Sequence, residues 1–173
     1  MFTCERPGGD PPKKKQNNNN NDDNNDTTIV NNNKIDTKTK VAEWVQFMTG
    51  GGRNIRHVFI LLTDKELNDA YAEPGLIQAY KEAGIVANHI PYASPKSYQA
   101  IMKELDEVHA LGEQAVAHCT HGIGRSGRVA AGWLVYKYGL GVDQAVEEAL
   151  EAARAAGVQR MGSPHQLTDW IAE

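Results

Sequence analysis

The 173 residues carry a formal net charge of −4, with 23% charged side chains, enough chain for one domain and short for two. No basic excess or basic helical stripe points to a nucleic-acid partner, no apolar stretch approaches a bilayer span, and residues 1–15 lack the apolar core of a signal peptide. The two cysteines, Cys4 and Cys119, are too few for a disulfide framework and fit a reducing compartment, so the cytoplasm is the expected location, with the nucleus as the alternative.

Residues 1–39 stand apart in composition. Lys13-Lys14-Lys15 leads into the run Asn17 to Asn21, an Asp/Asn stretch from Asp22 to Asp26, and Asn31 to Asn33. Such a tract has little to bury and cannot offset the entropy of ordering. A largely disordered segment is expected over 1–39, with a brief extended patch at Thr28 to Val30, and a folded domain over 40–173.

Val41, Trp44, Val45 and Met48 follow helical spacing, and Gly50-Gly51-Gly52 ends that helix. The apolar run 57–62 reads as a buried strand. Thr63-Asp64-Lys65-Glu66 opens a helical segment that is interrupted at Pro74, resumes to Ala83 and stops at Gly84. A second strand is expected over 85–90. Ser94 and Pro95 suit the N-cap and first turn of a helix whose apolar face is Tyr98, Ile101, Met102, Leu105 and Val108. A third strand, 114–118, precedes helices at 126–138 and 142–155. Ser163 and Gln166 form a capping-box pattern for a last helix through Trp170. Strands alternating with helices imply an α/β fold with a central, mostly parallel sheet flanked by helices.

The densest chemistry lies in His118-Cys119-Thr120-His121-Gly122-Ile123-Gly124-Arg125-Ser126. This stretch joins the carboxyl end of a strand to the amino end of a helix, where open α/β sheets bind ligands. A free thiol titrates near 8.5 and is mostly protonated at neutral pH. A helix N-terminus, inward-pointing amides and a nearby arginine stabilise its thiolate. Gly122 and Gly124 let the loop curl so that the amides of Thr120, His121, Gly122, Ile123 and Gly124 point at one anion. Arg125 supplies a planar fork that lysine lacks, and the Ser126 hydroxyl is placed to hydrogen-bond the sulfur. Together these residues suit a phosphate dianion, with Cys119 as nucleophile. A buried structural thiol accounts for Cys119 but not for Arg125, the glycines and Ser126 together.

The loop resembles the signature of the protein tyrosine and dual-specificity phosphatase superfamily: His-Cys, five residues, Arg, then Ser or Thr. The likeness extends to Glu5-Arg6-Pro7-Gly8, residues 43–48, residues 61–67 and residues 131–135, which look like a compact microbial subgroup. It implies the cysteine-phosphatase fold, a phosphocysteine intermediate, no metal or other cofactor, and a phosphorylated protein as partner. Phosphotyrosine, with or without phosphoserine and phosphothreonine, is the implied substrate. His118 would orient the loop, and Gln166 would either position the attacking water or cap its helix. Neither a nucleic acid nor a membrane is expected as partner, and the chain is expected to act as a monomer.

One position departs from the family pattern. The family carries its general acid in a sequence like Pro-Ile-x-Asp, and the matching stretch here is Pro91-Tyr92-Ala93-Ser94, with serine where the aspartate is expected. No Asp or Glu occurs from 83 to 103. Either turnover is slow, or another group donates the proton, with Asp64 and His89 the nearest replacements, or the substrate needs no donor. The alternatives to a protein phosphatase are a low-activity phosphate-binding module and an enzyme for a non-protein phosphoester such as a phosphoinositide.

Overall fold

A computed structural model describes residues 2–5, residue 7 and residues 34–173. The asparagine tract, the lysine run and the extended patch expected at 28–30 lie outside the described residues. Among the described residues, four strands form one sheet: β1 (Phe2–Glu5), β2 (Ile55–Ile60), β3 (Val86–His89) and β4 (Gln114–Cys119). Their order is β1-β4-β2-β3, and every pairing is parallel. The fold is therefore α/β, with crossover helices on both faces as parallel pairing requires.

The central strands bury both faces, which explains their continuous apolar runs. Phe59 and Leu61 from the β2 region, with Ala115, Ala117 and Cys119 from β4, pack on one side. That side is covered by α4 (Ser97–Ala110), α5 (Arg125–Tyr138), α6 (Val142–Ala155) and α7 (Pro164–Ala172). Val58, Ile60 and Val116 face the other side, with residues of α1 (Thr37–Thr49), α2 (Asp64–Ala70) and α3 (Leu76–Glu82). The period-two alternation of β4 thus sends Cys119 toward α5 and the adjacent His118 to the opposite face, beside Trp44 and Tyr80.

α5 runs close to its neighbours because position 132 has no side chain. A Cβ at Gly132 would lie 3.0 Å from the Trp170 ring and 3.2 Å from the Tyr98 ring. This approach holds the helix that begins at Arg125 against α4 and α7.

Three expectations are corrected. The domain boundary drawn at residue 40 cuts α1, which starts at Thr37 because the Asp36 carboxylate accepts the Thr39 N–H. Phe2–Glu5 of the segment expected to be disordered forms the sheet edge, with Cys4 in register with His118 and Glu5 with Cys119. A four-residue strand is too short to show a period, so only three strands were expected. Ser94 and Pro95 do not start α4. They lie in a turn closed by Ser94 N–H to Pro91 O, and the helix follows Lys96, a left-handed residue at φ 57°.

Candidate active site

β4 ends at Cys119 and α5 begins at Arg125, so the intervening five residues form a strand-to-helix loop. Gly122 takes φ +68°, a left-handed conformation that favours glycine and turns the backbone inward. The loop is tied down on its far side by the Met161 N–H, which donates to Ile123 O at 3.2 Å. Cys119 is 4% exposed, and its Sγ lies 3.6 Å from the Ser126 Oγ, itself fully buried. Burial is the largest single influence on the thiol and opposes ionisation. Hydrogen bonds from the Ser126 amide and hydroxyl and the Gly122 amide, with the charge of Arg125, outweigh it, so the thiol titrates below its ordinary value.

Arg125 is aimed by a residue that the sequence reading quoted but gave no role. Its Nη1 donates to Glu66 Oε2 at 2.8 Å and its Nη2 to Glu66 Oε1 at 2.7 Å, a bidentate pair. Nη1 also donates to Leu61 O at 3.3 Å and Nη2 to Thr120 Oγ1 at 2.8 Å, while the Thr120 hydroxyl donates to Glu66. Glu66 is fixed in turn by the capping box of α2: its carboxylate accepts the Thr63 N–H, and its own N–H donates to Thr63 Oγ1. The Thr-x-x-Glu spacing was a legible signal for the helix start. That the same carboxylate would also meet an arginine 59 positions away was not.

The Arg125 hydrogen bond, against the opposing effect of burial, holds the Glu66 carboxyl down from an ordinary 4.5 to about 2. A carboxylate whose folded pKa is depressed stabilises the fold above about 4.5, and that stability is lost as pH falls toward 2. Glu66→Gln is therefore expected to flatten the decline of the urea midpoint between those two pH values. Parallel pH profiles for the two proteins would show that the pair contributes nothing to folding.

His118 is fully buried, with Nε2 3.1 Å from the Tyr80 hydroxyl and the Trp44 ring edge-on to its own. This packing anchors the backbone one residue before Cys119. Cys119, Thr120, His121, Ile123, Gly124, Arg125, Arg128 and Met161 line an open cavity of about 350 Å³. The sequence-predicted loop residues thus converge on one site, with Gly122 shaping the turn behind it. Arg128 and Met161, on that wall, carried no role in the sequence reading.

Four other residues weighed for the site lie off this cavity. Gln166 is exposed on the first turn of α7, donating its N–H to Ser163 Oγ, and does not line the cavity. The Asp64 side chain is 87% exposed, lines a different cavity and stands 3.8 Å from His89 Nδ1. His89 Nε2 donates to Leu62 O at 2.8 Å. Ser94 sits in a turn pinned by its neighbours: the Tyr92 ring stacks on Trp170 at 4.6 Å, and Ser97 Oγ donates to Tyr92 O. Among the described residues, no carboxylate lines the cavity.

A thiol and an arginine bracketing a strand-to-helix loop, on a parallel sheet in this order, define a protein of the cysteine-based tyrosine and dual-specificity phosphatase class. The family model described as cyclin-dependent kinase inhibitor 3 (CDKN3) matches residues 36–146, and the chain belongs to that family. It is 31% identical over 127 residues to cyclin-dependent kinase inhibitor 3 of Rattus norvegicus, covering 68% of this chain and 59% of the rat protein. With the Homo sapiens protein it shares 34% identity over 87 residues, covering 47% of this chain and 41% of the human protein. The chain therefore spans less than two thirds of the length of these relatives. Among solved structures, kinase associated phosphatase with serine replacing its catalytic-site cysteine aligns at TM-score 0.65 and 22% identity, covering 97% of this chain and 82% of that one. The active form of Tk-PTP aligns at TM-score 0.57 and 22% identity, over 79% of this chain and 86% of the other. Both likenesses concern the fold.

Proposed function

We propose that this chain hydrolyses phosphomonoesters of a phosphorylated protein through a phosphocysteine intermediate. The observation that carries the proposal is the buried Cys119 sulfur, held beside the Ser126 hydroxyl with its pKa lowered, in the same cavity as an arginine whose plane is set by Glu66. The thiolate attacks phosphorus and the ester oxygen departs. The loop amides and Arg125 hold the equatorial oxygens, whose charge grows in the transition state. Arg125 keeps its Glu66 pair and exchanges its weaker neutral acceptors, Thr120 Oγ1 and Leu61 O, for phosphate oxygens. Water then attacks the phosphocysteine, and the Ser126 hydroxyl stabilises the departing thiolate. The relatives' names link them to kinases, which supports a phosphoprotein as substrate.

The pH dependence tests the assignment of groups. For an activated aryl phosphate, kcat/KM is expected to rise with pH through the thiol's lowered pKa, because only the thiolate attacks. With serine at position 94 and no carboxylate of the described residues lining the cavity, no falling limb from a carboxyl donor is expected at higher pH. A bell-shaped profile would reveal a proton donor and overturn the reading of an absent acid. A phosphate-binding module with negligible turnover is the second reading, favoured by the same Ser94. Failure to release phosphate from the activated substrate would select it.

A further inference from the structure

The cavity holds a second guanidinium that the reaction above does not use. Arg128 lies one turn into α5 and folds back over the loop, with Nη2 3.5 Å from the point where a Cβ on Gly124 would stand. Its guanidinium sits 5.1 Å from the centre of the Tyr92 ring, so an aromatic face supports it from outside. Arg125 is matched by Glu66, whereas no carboxylate of the described residues forms an ion pair with Arg128. A dianionic phosphate seated over a thiolate leaves the site short of positive charge, and Arg128 is, among the described residues, the second cation lining the cavity and the one without an ion pair to a carboxylate.

The leaving group points the same way. A phenol titrates near 10 and departs poorly without a proton. A phosphate oxygen titrates near 6 and departs as the anion at neutral pH. Among the described residues no carboxylic acid lines the cavity: Ser94 stands in the turn at 91–96, Asp64 lies off the cavity, and the Glu66 carboxylate is committed to Arg125.

We infer that the site also cleaves terminal phosphoanhydrides, with the scissile phosphate on the Cys119 loop and the adjacent phosphate on Arg128. The inference rests on the phosphocysteine chemistry proposed above. The Cys119 thiolate forms the S–P bond while the bond from phosphorus to the bridging oxygen breaks, and that oxygen keeps the electron pair as a phosphate anion beside Arg128. Water then attacks phosphorus, the S–P bond breaks, the thiolate returns and the water proton leaves with inorganic phosphate. No proton is needed on the leaving group. His121, exposed on the same rim, is the competing source of a proton for an ester.

The test measures phosphate release by the full chain, in chelator, from tripolyphosphate, adenosine triphosphate, a phosphotyrosyl peptide and p-nitrophenyl phosphate, with Cys119→Ser as background. Tripolyphosphate is expected to exceed the peptide in kcat/KM. Arg128→Gln is expected to lower the ratio of anhydride to peptide turnover by about 10- to 100-fold, the size of a lost charge-assisted hydrogen bond. Release from both tripolyphosphate and the nucleotide assigns the terminal anhydride whatever is attached, and release from tripolyphosphate alone assigns an inorganic polyphosphate. A peptide turned over as well as or better than the anhydrides, or a ratio unmoved by Arg128→Gln, overturns the inference. The wild-type ratio decides the matter even if the variant does not fold. Release from p-nitrophenyl phosphate with none from the anhydrides removes this inference alone, whereas no release from any of the four removes the phosphatase reading with it.

Discussion

Cys119→Ser is expected to reduce hydrolysis of an aryl phosphate by at least about 10⁴-fold, as loss of a catalytic nucleophile does in enzymes whose residues act as a unit. The substitution changes one buried atom and leaves the rest of the loop and Arg125 in place. It also removes a negative charge from beneath a dianion, so binding of inorganic phosphate should be retained or tightened. Titration of phosphate binding, alongside turnover, separates the two effects. Retention of more than about a tenth of wild-type turnover would exclude a covalent role for the sulfur. Loss of phosphate binding together with activity would instead mean that the loop had lost its shape.

Arg125→Lys is the second large effect, expected to lower kcat by roughly 10²- to 10³-fold. Lysine keeps the positive charge near Cys119 but not the planar fork that spans two Glu66 oxygens. The charge that favours the thiolate is thus retained, and the rate of Cys119 alkylation against pH should move little. Arg125→Met removes both charge and fork, so it should shift the alkylation profile toward higher pH as well. Turnover near the wild-type level in the lysine variant would show that transition-state charge is held by the loop amides alone.

Much of the fold could be read from local pattern. The apolar runs over 57–62 and 114–118 are legible as buried strands because parallel strands bury both faces. The helix over 142–155 is legible from its periodicity, and the last helix from its Ser163-Pro164 start. The turn at 91–96 was not, because Ser94-Pro95 satisfies a helix-start rule while Tyr92 and Ser97 are held by Trp170, more than 70 positions away. Strand β1 escaped because its partner, β4, is remote in sequence and its four residues carry no periodic signal.

The linear order of residues determined the chemistry of the site from 118 to 126, since a strand end, five loop residues and a helix start place sulfur, amides and guanidinium together through local geometry. It also marked Ser94 as the position where the family resemblance leads one to expect an acid. Only the tertiary structure decided which groups stand around that loop. Glu66 aims Arg125 from 59 positions away, Arg128 turns back over Gly124, and Asp64, His89 and Gln166 lie off the cavity. The physical reason is that sequence-local rules act through backbone dihedrals and capping hydrogen bonds. Ion pairing and cavity lining are set by how the helices pack across the sheet.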